Sequence, residues 1–455
     1  MKRPRKAKAT TFNLYVFVML AAFEILMSFT FLGYVHVPPI SVTFAYLPVM
    51  LAAEMLGTAQ STAMGAIFGL ASMYKSSESY ILPADKAFSP LYSGKPLASL
   101  LLAIGARTLF GFLTGIMFSC IKKKKHSSVW VGVAALAAPL IHAVIVYSVM
   151  IMFFREFDYG ALERSATSGI NIAVTLLGVI VTLLFKKLYD SELIEKVKAS
   201  VSHSVHNPYA DSGKRTVIVS VFAAFVLGMT ILAALYFSNR TSIMLEMHGI
   251  EVSTGVDRDL THLQVQFTAA MISLNVICVI VLILLYQYTA YKNFLGELDP
   301  VTGVMGRRLF LNCCERSQKL ADLRTVKNGW FLFADVDLFK DINDTYGHSV
   351  GDDVLREVAL ALKRTFYDCG IVGRMGGDEF SVLIDKKEVP KDELETRLGT
   401  FYGEIAGLLP SQQGISCSIG VCGFSYPAEI SELMNKADEN LYKAKNNGRG
   451  CYVVG

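Results

Sequence analysis

Two acidic clusters stand out for the chemistry they could do together. The first is Asp335-Val336-Asp337-Leu338-Phe339-Lys340-Asp341-Ile342-Asn343-Asp344, followed by Tyr346-Gly347-His348 and Gly351-Asp352. The second is Arg374-Met375-Gly376-Gly377-Asp378-Glu379-Phe380. An aspartate at the end of a buried strand and a carboxylate pair on a Gly-Gly turn can converge on hard cations. Oxygen donors of this kind suit Mg²⁺, which keeps water and substrate phosphates as its remaining ligands. The two glycines ahead of the acids let the backbone approach a phosphate or a base with no Cβ in the way. Lys340, Lys445 and Arg449 could neutralise triphosphate charge. The reaction class implied is metal-assisted phosphoryl or nucleotidyl transfer.

Such groups need a rigid frame, and the sequence after Lys292 alternates strand and helix signals. Gly329 to Val336 reads as a buried strand and Val350 to Thr365 has helical spacing. Phe380 to Ile384 is a strand after the Gly-Gly turn, and Glu393 to Leu408 is a helix. Ile415 to Phe424 then reads as a strand, and Ile430 to Lys445 as another helix.

Several separated segments carry a family resemblance. Asp299-Pro-Val-Thr-Gly303 with Arg307-Arg308 comes first, then Asp335 to Asp352 and Gly376 to Phe380. Ser418-Ile-Gly-Val421, Ala437-Asp438 through Leu441-Tyr442-Lys443-Ala444-Lys445, and Gly448-Arg449 close the series. In this order, from about Asp299 to Val454, they resemble a GGDEF domain, the catalytic domain of diguanylate cyclases. The resemblance implies a cytoplasmic α+β domain with a nucleotide-cyclase-like central antiparallel sheet flanked by helices. It implies condensation of two GTP into 3′-5′ linked cyclic di-GMP with release of two diphosphates. Carried over residue by residue, Asp335, the Val336 carbonyl and Asp378 would bind two Mg²⁺ ions per site, or Mn²⁺ in their place. Asp378, or else Glu379, would help deprotonate the attacking 3′-hydroxyl. Asn343 and Asp352 would bind the guanine. Phe339, Lys340, Lys445 and Arg449 would surround the phosphates, with Gly376 and Gly377 against the nucleotide and His348 nearby. Each domain would hold half a site, so a homodimer is required. Retention of Asp352 argues for guanine specificity, because a carboxylate accepts from guanine N1 and N2.

Two departures from the pattern are visible. Many members carry an inhibitory product site, Arg-x-x-Asp, but the corresponding positions here are Tyr367-Asp368-Cys369-Gly370. Feedback inhibition by cyclic di-GMP through that site is therefore expected to be absent. Gly450 replaces the Asn that commonly follows the Gly-Arg pair, with no consequence assigned.

The rest of the chain is of another kind. Over 455 residues, 53% are hydrophobic and only 18% charged. The excess lies between Phe12 and Tyr291, whose composition departs from that of ordinary soluble domains. Spans of about twenty residues can be drawn at approximately 12–33, 41–57, 58–74, 97–121, 128–153, 167–186, 216–237 and 264–290, about eight transmembrane helices in all. The basic Met1 to Ala9 precedes the first, which reads as an uncleaved helix rather than a signal peptide. Lys and Arg clusters at the N-terminus, Lys122 to Lys125, Lys186-Lys187, Lys196 with Lys198, and Lys214-Arg215 all fall on one side. That places the N-terminus and the cyclase-like domain in the cytoplasm of a bacterial inner membrane. The formal net charge is only +4 and no basic stripe interleaves with aromatics, so nucleic acid is not an expected partner. Eight cysteines include no CxxC pair, and reduced thiols are expected. The expected domains are 1–190, a six-helix membrane sensor; 191–291, a linker and two further spans; and 292–455, the cyclase.

Val37 to Ala53, Gly57 and the Gly65 to Gly69 stretch resemble the substrate-binding component of energy-coupling-factor vitamin transporters. That resemblance implies a vitamin-like ligand entering from outside. The AxxxA face such components present to a transport partner is not apparent in the first span. Glu24, Arg107 and His142 lie at similar depth, and ionisable groups there mark a functional site by default. They are expected to meet, with Asn171 nearer the mouth; the alternative is an ion pair that only fixes helix packing. Three functions follow: a ligand-regulated cyclase, a receptor whose silent GGDEF domain signals through bound nucleotide, or a vitamin-uptake component with an attached cyclase.

Overall fold

The computed structural model describes residues 5–35, 42–78, 85–121, 127–154, 168–206, 212–249, 253–319, 326–407 and 415–455. Lys122 to Lys125, residues 155–167 between the spans expected at 128–153 and 167–186, and Val37 to Ser41 lie outside these residues. Two compact units divide the chain, one up to Thr289 and one from Ala290 to Gly455.

In the first unit, α1 (Arg5–Ser28) leads to the short pair β1 (Tyr34–Val35) and β2 (Val42–Thr43), then α2 (Leu47–Met55) and α3 (Thr58–Lys75). There follow α4 (Pro96–Ile121), α5 (Ser127–Phe153), α6 (Gly169–Tyr189), α7 (Glu192–His206), α8 (Ser212–Met247) and α9 (Thr254–Gly296). Among the described residues, six helices are long and apolar enough to cross a membrane: α1, α4, α5, α6, α8 and α9. This differs from the expectation of eight. The span expected at 41–57 contains only the nine-residue α2, of which Leu47 to Glu54 are all buried inside the protein. At about 1.5 Å per residue such a helix cannot cross a bilayer alone. The span expected at 58–74 is α3, whose Thr58, Gln60, Ser61, Thr62 and Ser72 lower its hydropathy. Its glycines serve packing within the unit. A Cβ on Gly65 would collide with the Arg107 carbonyl, and one on Gly111 with that of Ser61, so α3 and α4 meet backbone to backbone. The Ser61 hydroxyl donates to the Gly111 carbonyl across this seam at 2.5 Å.

One face of α9 is tied to the same bundle. Arg258, His262 and Gln266 lie four residues apart, one above another. Arg258 Nη2 donates to the Tyr92 hydroxyl at 2.9 Å. His262 Nδ1 lies 3.0 Å from the buried Glu78 carboxylate, and its ring stacks on Tyr74 at 4.1 Å. Gln266 Nε2 donates to the same Glu78 oxygen.

The second unit is a six-stranded sheet between helices. Its strands are β3 (Met305–Gly306), β4 (Asn328–Val336), β5 (Gly370–Gly376), β6 (Glu379–Ile384), β7 (Cys417–Ser425) and β8 (Tyr452–Val454). They lie in the order β3-β5-β6-β4-β7-β8. The four central strands are antiparallel, and β3 and β8 join the edges in parallel. Alternation along β4 explains the layers. Leu332, Ala334 and Val336 pack with α12 (His348–Phe366) and α13 (Lys391–Ile405). Phe331 and Phe333 pack on the other face with α10 (Arg307–Lys319) and α14 (Ile430–Asn446). A short helix, α11 (Phe339–Tyr346), buries no residue and follows Leu338, which is held at φ +54°. All eight cysteines are free thiols.

Candidate active site

The sheet brings the two acidic clusters together. Strand β4 ends at Asp335 and Val336, in register with Glu379 on β6 and Ser418 on β7. The β5–β6 hairpin turns through Gly377 and Asp378, with Gly377 at φ +49°, a conformation glycine takes without a Cβ penalty. The Val336 amide donates to the Asp378 carbonyl at 3.2 Å, which fastens this turn to the end of β4. Arg374 grips the turn from below. Its Nε and Nη2 donate to the Gly377 carbonyl at 2.9 and 2.6 Å, and its Nη1 pairs with Asp299 at 2.9 Å. Asp299 also accepts from the Thr302 amide and hydroxyl. Burial raises the Asp299 carboxyl, but the Thr302 hydrogen bonds and Arg374 outweigh it and hold the group below its ordinary value. The Asp299-Pro-Val-Thr-Gly303 segment thus braces the hairpin, a role its sequence did not reveal.

Three carboxylates converge here with one close cation. Lys445 Nζ sits 2.8 Å from Asp335 Oδ2. Lys445 is expected at the phosphates; its ammonium pairs with this acid. Burial raises the Glu379 carboxyl above its usual range, and the charges of Asp335 and Asp378 raise it further. Asp335 is raised by burial, partly offset by Lys445, with Asp378 and Asp337 adding to the rise. Among the described residues no three His, Cys, Asp or Glu side chains form a metal cage. An excess of hard oxygen donors with one counter-ion nevertheless fits a divalent cation that draws its remaining ligands from water and phosphate.

The other expected site residues lie on α11, α12 and the turn after α14. Phe339 packs against the core edge, while Lys340 is exposed on the first turn of α11 and His348 is exposed at the start of α12. A Cβ on Gly351 would fall on Asn343 Oδ1, so the missing side chain lets Asn343 lie against α12 beside the exposed Asp352. Arg449 is exposed at φ +67°. Asp337 had no assigned role. It is 6% exposed and accepts from Ser416 Oγ and Ser418 Oγ, both at 2.7 Å, and from the Gly450 amide at 2.9 Å. The Asp-x-Asp spacing at the end of β4, which points both side chains to one face, was the signal for it. At the expected product-site positions, Tyr367 is exposed and Asp368 is bound bidentately by Arg397 at 2.9 Å.

In the first unit, Glu24, Arg107 and His142 are all buried. No hydrogen bond or ion pair joins them directly, but the Arg107 charge acts on both Glu24 and His142. Glu24 Oε1 accepts from Ser28 at 3.1 Å, and Oε2 has no partner. Arg107 lies between the Phe68 and Phe88 rings, at 4.7 and 4.8 Å, and donates to the Leu102 and Ala103 carbonyls. Those carbonyls belong to a π-helical turn, Leu101–Gly105. His142 stacks on one of those two rings, Phe68, at 5.7 Å, and its Nε2 has no partner. Asn171 is half-buried in the first turn of α6, where its amide is capped by Ser168 at 3.2 Å.

Residues 297–451 match the family described as diguanylate cyclase, GGDEF domain. The chain is 37% identical over 165 residues to the probable diguanylate cyclase DgcI of Escherichia coli K12, covering 36% of this chain and 34% of that protein. It is 36% identical over 159 residues to diguanylate cyclase DgcM of the same strain, covering 33% and 36%. The chain therefore spans only about a third of the length of these curated relatives. The coiled coil and GGDEF domain of DgcB from Caulobacter crescentus, solved in complex with c-di-GMP, is 23% identical with a TM-score of 0.34, covering 38% of this chain and 92% of that one.

Proposed function

We propose that this protein is a membrane-bound diguanylate cyclase whose membrane unit senses a small ligand. The observation that carries the reading is the convergence of Asp335, Asp378 and Glu379 at one end of the sheet, within the segment that matches the cyclase family.

The chain's own residues account for the steps. Asn343 and Asp352 hold the guanine edge, and Lys340 with Arg449 draws in the triphosphate through charge. Asp335, the Val336 carbonyl and Asp378 would hold Mg²⁺ or Mn²⁺, which when bound neutralises phosphate charge and favours attack at phosphorus. The raised Glu379, or the adjacent Asp378, takes the proton from the attacking 3′-hydroxyl. Two copies face one another, each supplying one GTP. Each 3′-oxygen forms a bond to the α-phosphorus of the other nucleotide, and each α–β bond breaks to release diphosphate. Lys445 exchanges Asp335 for a phosphate when substrate enters.

The six apolar helices support a place in the membrane. The basic clusters support the orientation with N-terminus and cyclase inside. The buried, partnerless polar atoms of Glu24, Arg107 and His142 support a ligand-sensing role for that unit. A vitamin-like molecule fits the resemblance to a transporter's binding component.

The test is formation of cyclic di-GMP from GTP and Mg²⁺ by the purified full-length protein beside an Asp378→Ala control. Product that vanishes in the control supports the cyclase. Silence of the wild type, and also of a forcibly dimerised Lys292–Gly455 segment, would favour a nucleotide-binding receptor instead.

A further inference from the structure

The position of Arg449 needs an explanation that the strands do not supply. It lies in a run of three residues at positive φ: Gly448 at +106°, Arg449 at +67° and Gly450 at +60°. Two of these are glycines, but Arg449 carries a Cβ, and a side chain in this region persists only where its surroundings hold it. On the helix side the turn is closed by the Arg449 amide, which donates to the Ala444 carbonyl at 3.3 Å. On the other side the nearest anchor is Asp337, whose Oδ2 accepts from the Gly450 amide at 2.9 Å.

We propose that Asp337 is the positioning residue that sets Arg449 against the nucleotide phosphates, by fastening the turn after α14 to the end of β4. Three segments meet at this one buried carboxylate: the end of β4, the start of β7 and the turn after α14. Its backbone amide donates to the Ser416 carbonyl at 3.0 Å, and its two oxygens take the Ser416 and Ser418 hydroxyls and the Gly450 amide. The first carboxylate of the pair, Asp335, lies two residues earlier, near the end of β4, and keeps an oxygen 2.8 Å from Lys445. Asp335 therefore meets mobile charge, and Asp337 meets fixed donors. With three of about four lone-pair directions taken by the protein, Asp337 is built as a bracket and not as a ligand for a cation. The Ser418-Ile-Gly-Val segment gains a physical reason on the same ground, since Ser418 holds one oxygen of the bracket.

The assignment rests on the proposed nucleotide site, and its test does not require turnover. Equilibrium binding of a fluorescent N-methylanthraniloyl-GTP to the full-length protein is measured for wild type, Asp337→Asn, Arg449→Ala and the double variant. Asp337→Asn is expected to weaken binding about fivefold, the loss of one charge-assisted hydrogen bond. In the Arg449→Ala background it should weaken binding no further, because both changes remove the same contact. Additive losses, or no loss in Asp337→Asn, overturn the proposal. So does a loss of Mn²⁺ binding in Asp337→Asn with nucleotide affinity kept, which would make Asp337 a ligand. If Asp337→Asn loses its unfolding transition, Ser416→Ala, which removes one donor from the same oxygen, enters the cycle in its place. Cyclic di-GMP formation by the wild type is scored separately, so failure of the cyclase reading and failure of the bracket give different results.

Discussion

At the scale of single residues, the clustered acids set a pH dependence that a cation should reverse. Burial and mutual repulsion raise Asp335 and Glu379 in the folded protein, so the native state binds protons that the unfolded chain has already released. Between the ordinary and the raised values, stability falls as pH rises, because the folded protein must ionise where ionisation is disfavoured. At neutral pH the cluster is therefore a net cost, and a bound cation offsets it. Mg²⁺ is expected to raise the unfolding midpoint by roughly 2–4 °C near pH 7.5 and by less near pH 5, where the acids are partly protonated. Asp335→Asn should flatten the difference. A thermal melt with equal Mg²⁺ shifts at both pH values would count against the cluster as the binding locus. Asp299 has the opposite sign. Its carboxyl is held below the ordinary value, so what it adds to stability is present at neutral pH and lost as pH falls through that lowered value.

At the scale of elements, packing decides what hydropathy cannot. The strands β4, β6 and β7 and the helices α12, α13 and α14 were legible because each alternates or repeats its apolar residues toward one core. Strand β5 was not: Gly370, Gly373, Arg374 and Gly376 dilute its apolar signal, and it is a strand because β6 pairs along its length. Helix α11 is only eight residues long, with Phe339 and Ile342 at the core edge, too short a run for periodicity to mark. In the first unit hydropathy says less. An apolar run reads the same whether it faces lipid or protein, and α2 is buried inside the unit. The contact of α3 with α4 gives a direct check. Gly111→Ala places a methyl on the Ser61 carbonyl, whereas the atoms nearest a Cβ on Gly132 are side-chain carbons of Leu183, 3.8 and 3.9 Å away. Gly111→Ala should lower the stability of the detergent-solubilised protein by about 1–3 kcal/mol and Gly132→Ala should leave it near wild type. Equal melting curves for the two variants would mean that the seam is not tight.

At the scale of the whole molecule, the site in the second unit was readable because its acids and glycines are fixed by chemistry at short spacing. The first unit was less so. Helix rise predicts a common depth for Glu24, Arg107 and His142, but whether they touch depends on how the helices rotate about their axes. The π-helical turn before Arg107 is a rotation of that kind, and no hydropathy pattern records it. Helix α9 raises the same question in another form. It is tied near its start through Arg258, His262 and Gln266, and it runs unbroken to Gly296. An unbroken helix conserves angle as well as length along its own axis. Each residue inserted after Tyr291 turns everything beyond it by about 100°. Two extra residues rotate the far end by about 200°, while seven bring it back to within about 20° of its starting azimuth. Cyclic di-GMP output across an insertion series should then rise and fall with a period of about 3.6 residues, a compass reading of the helix. A monotonic decline with insert length would instead show that only reach matters.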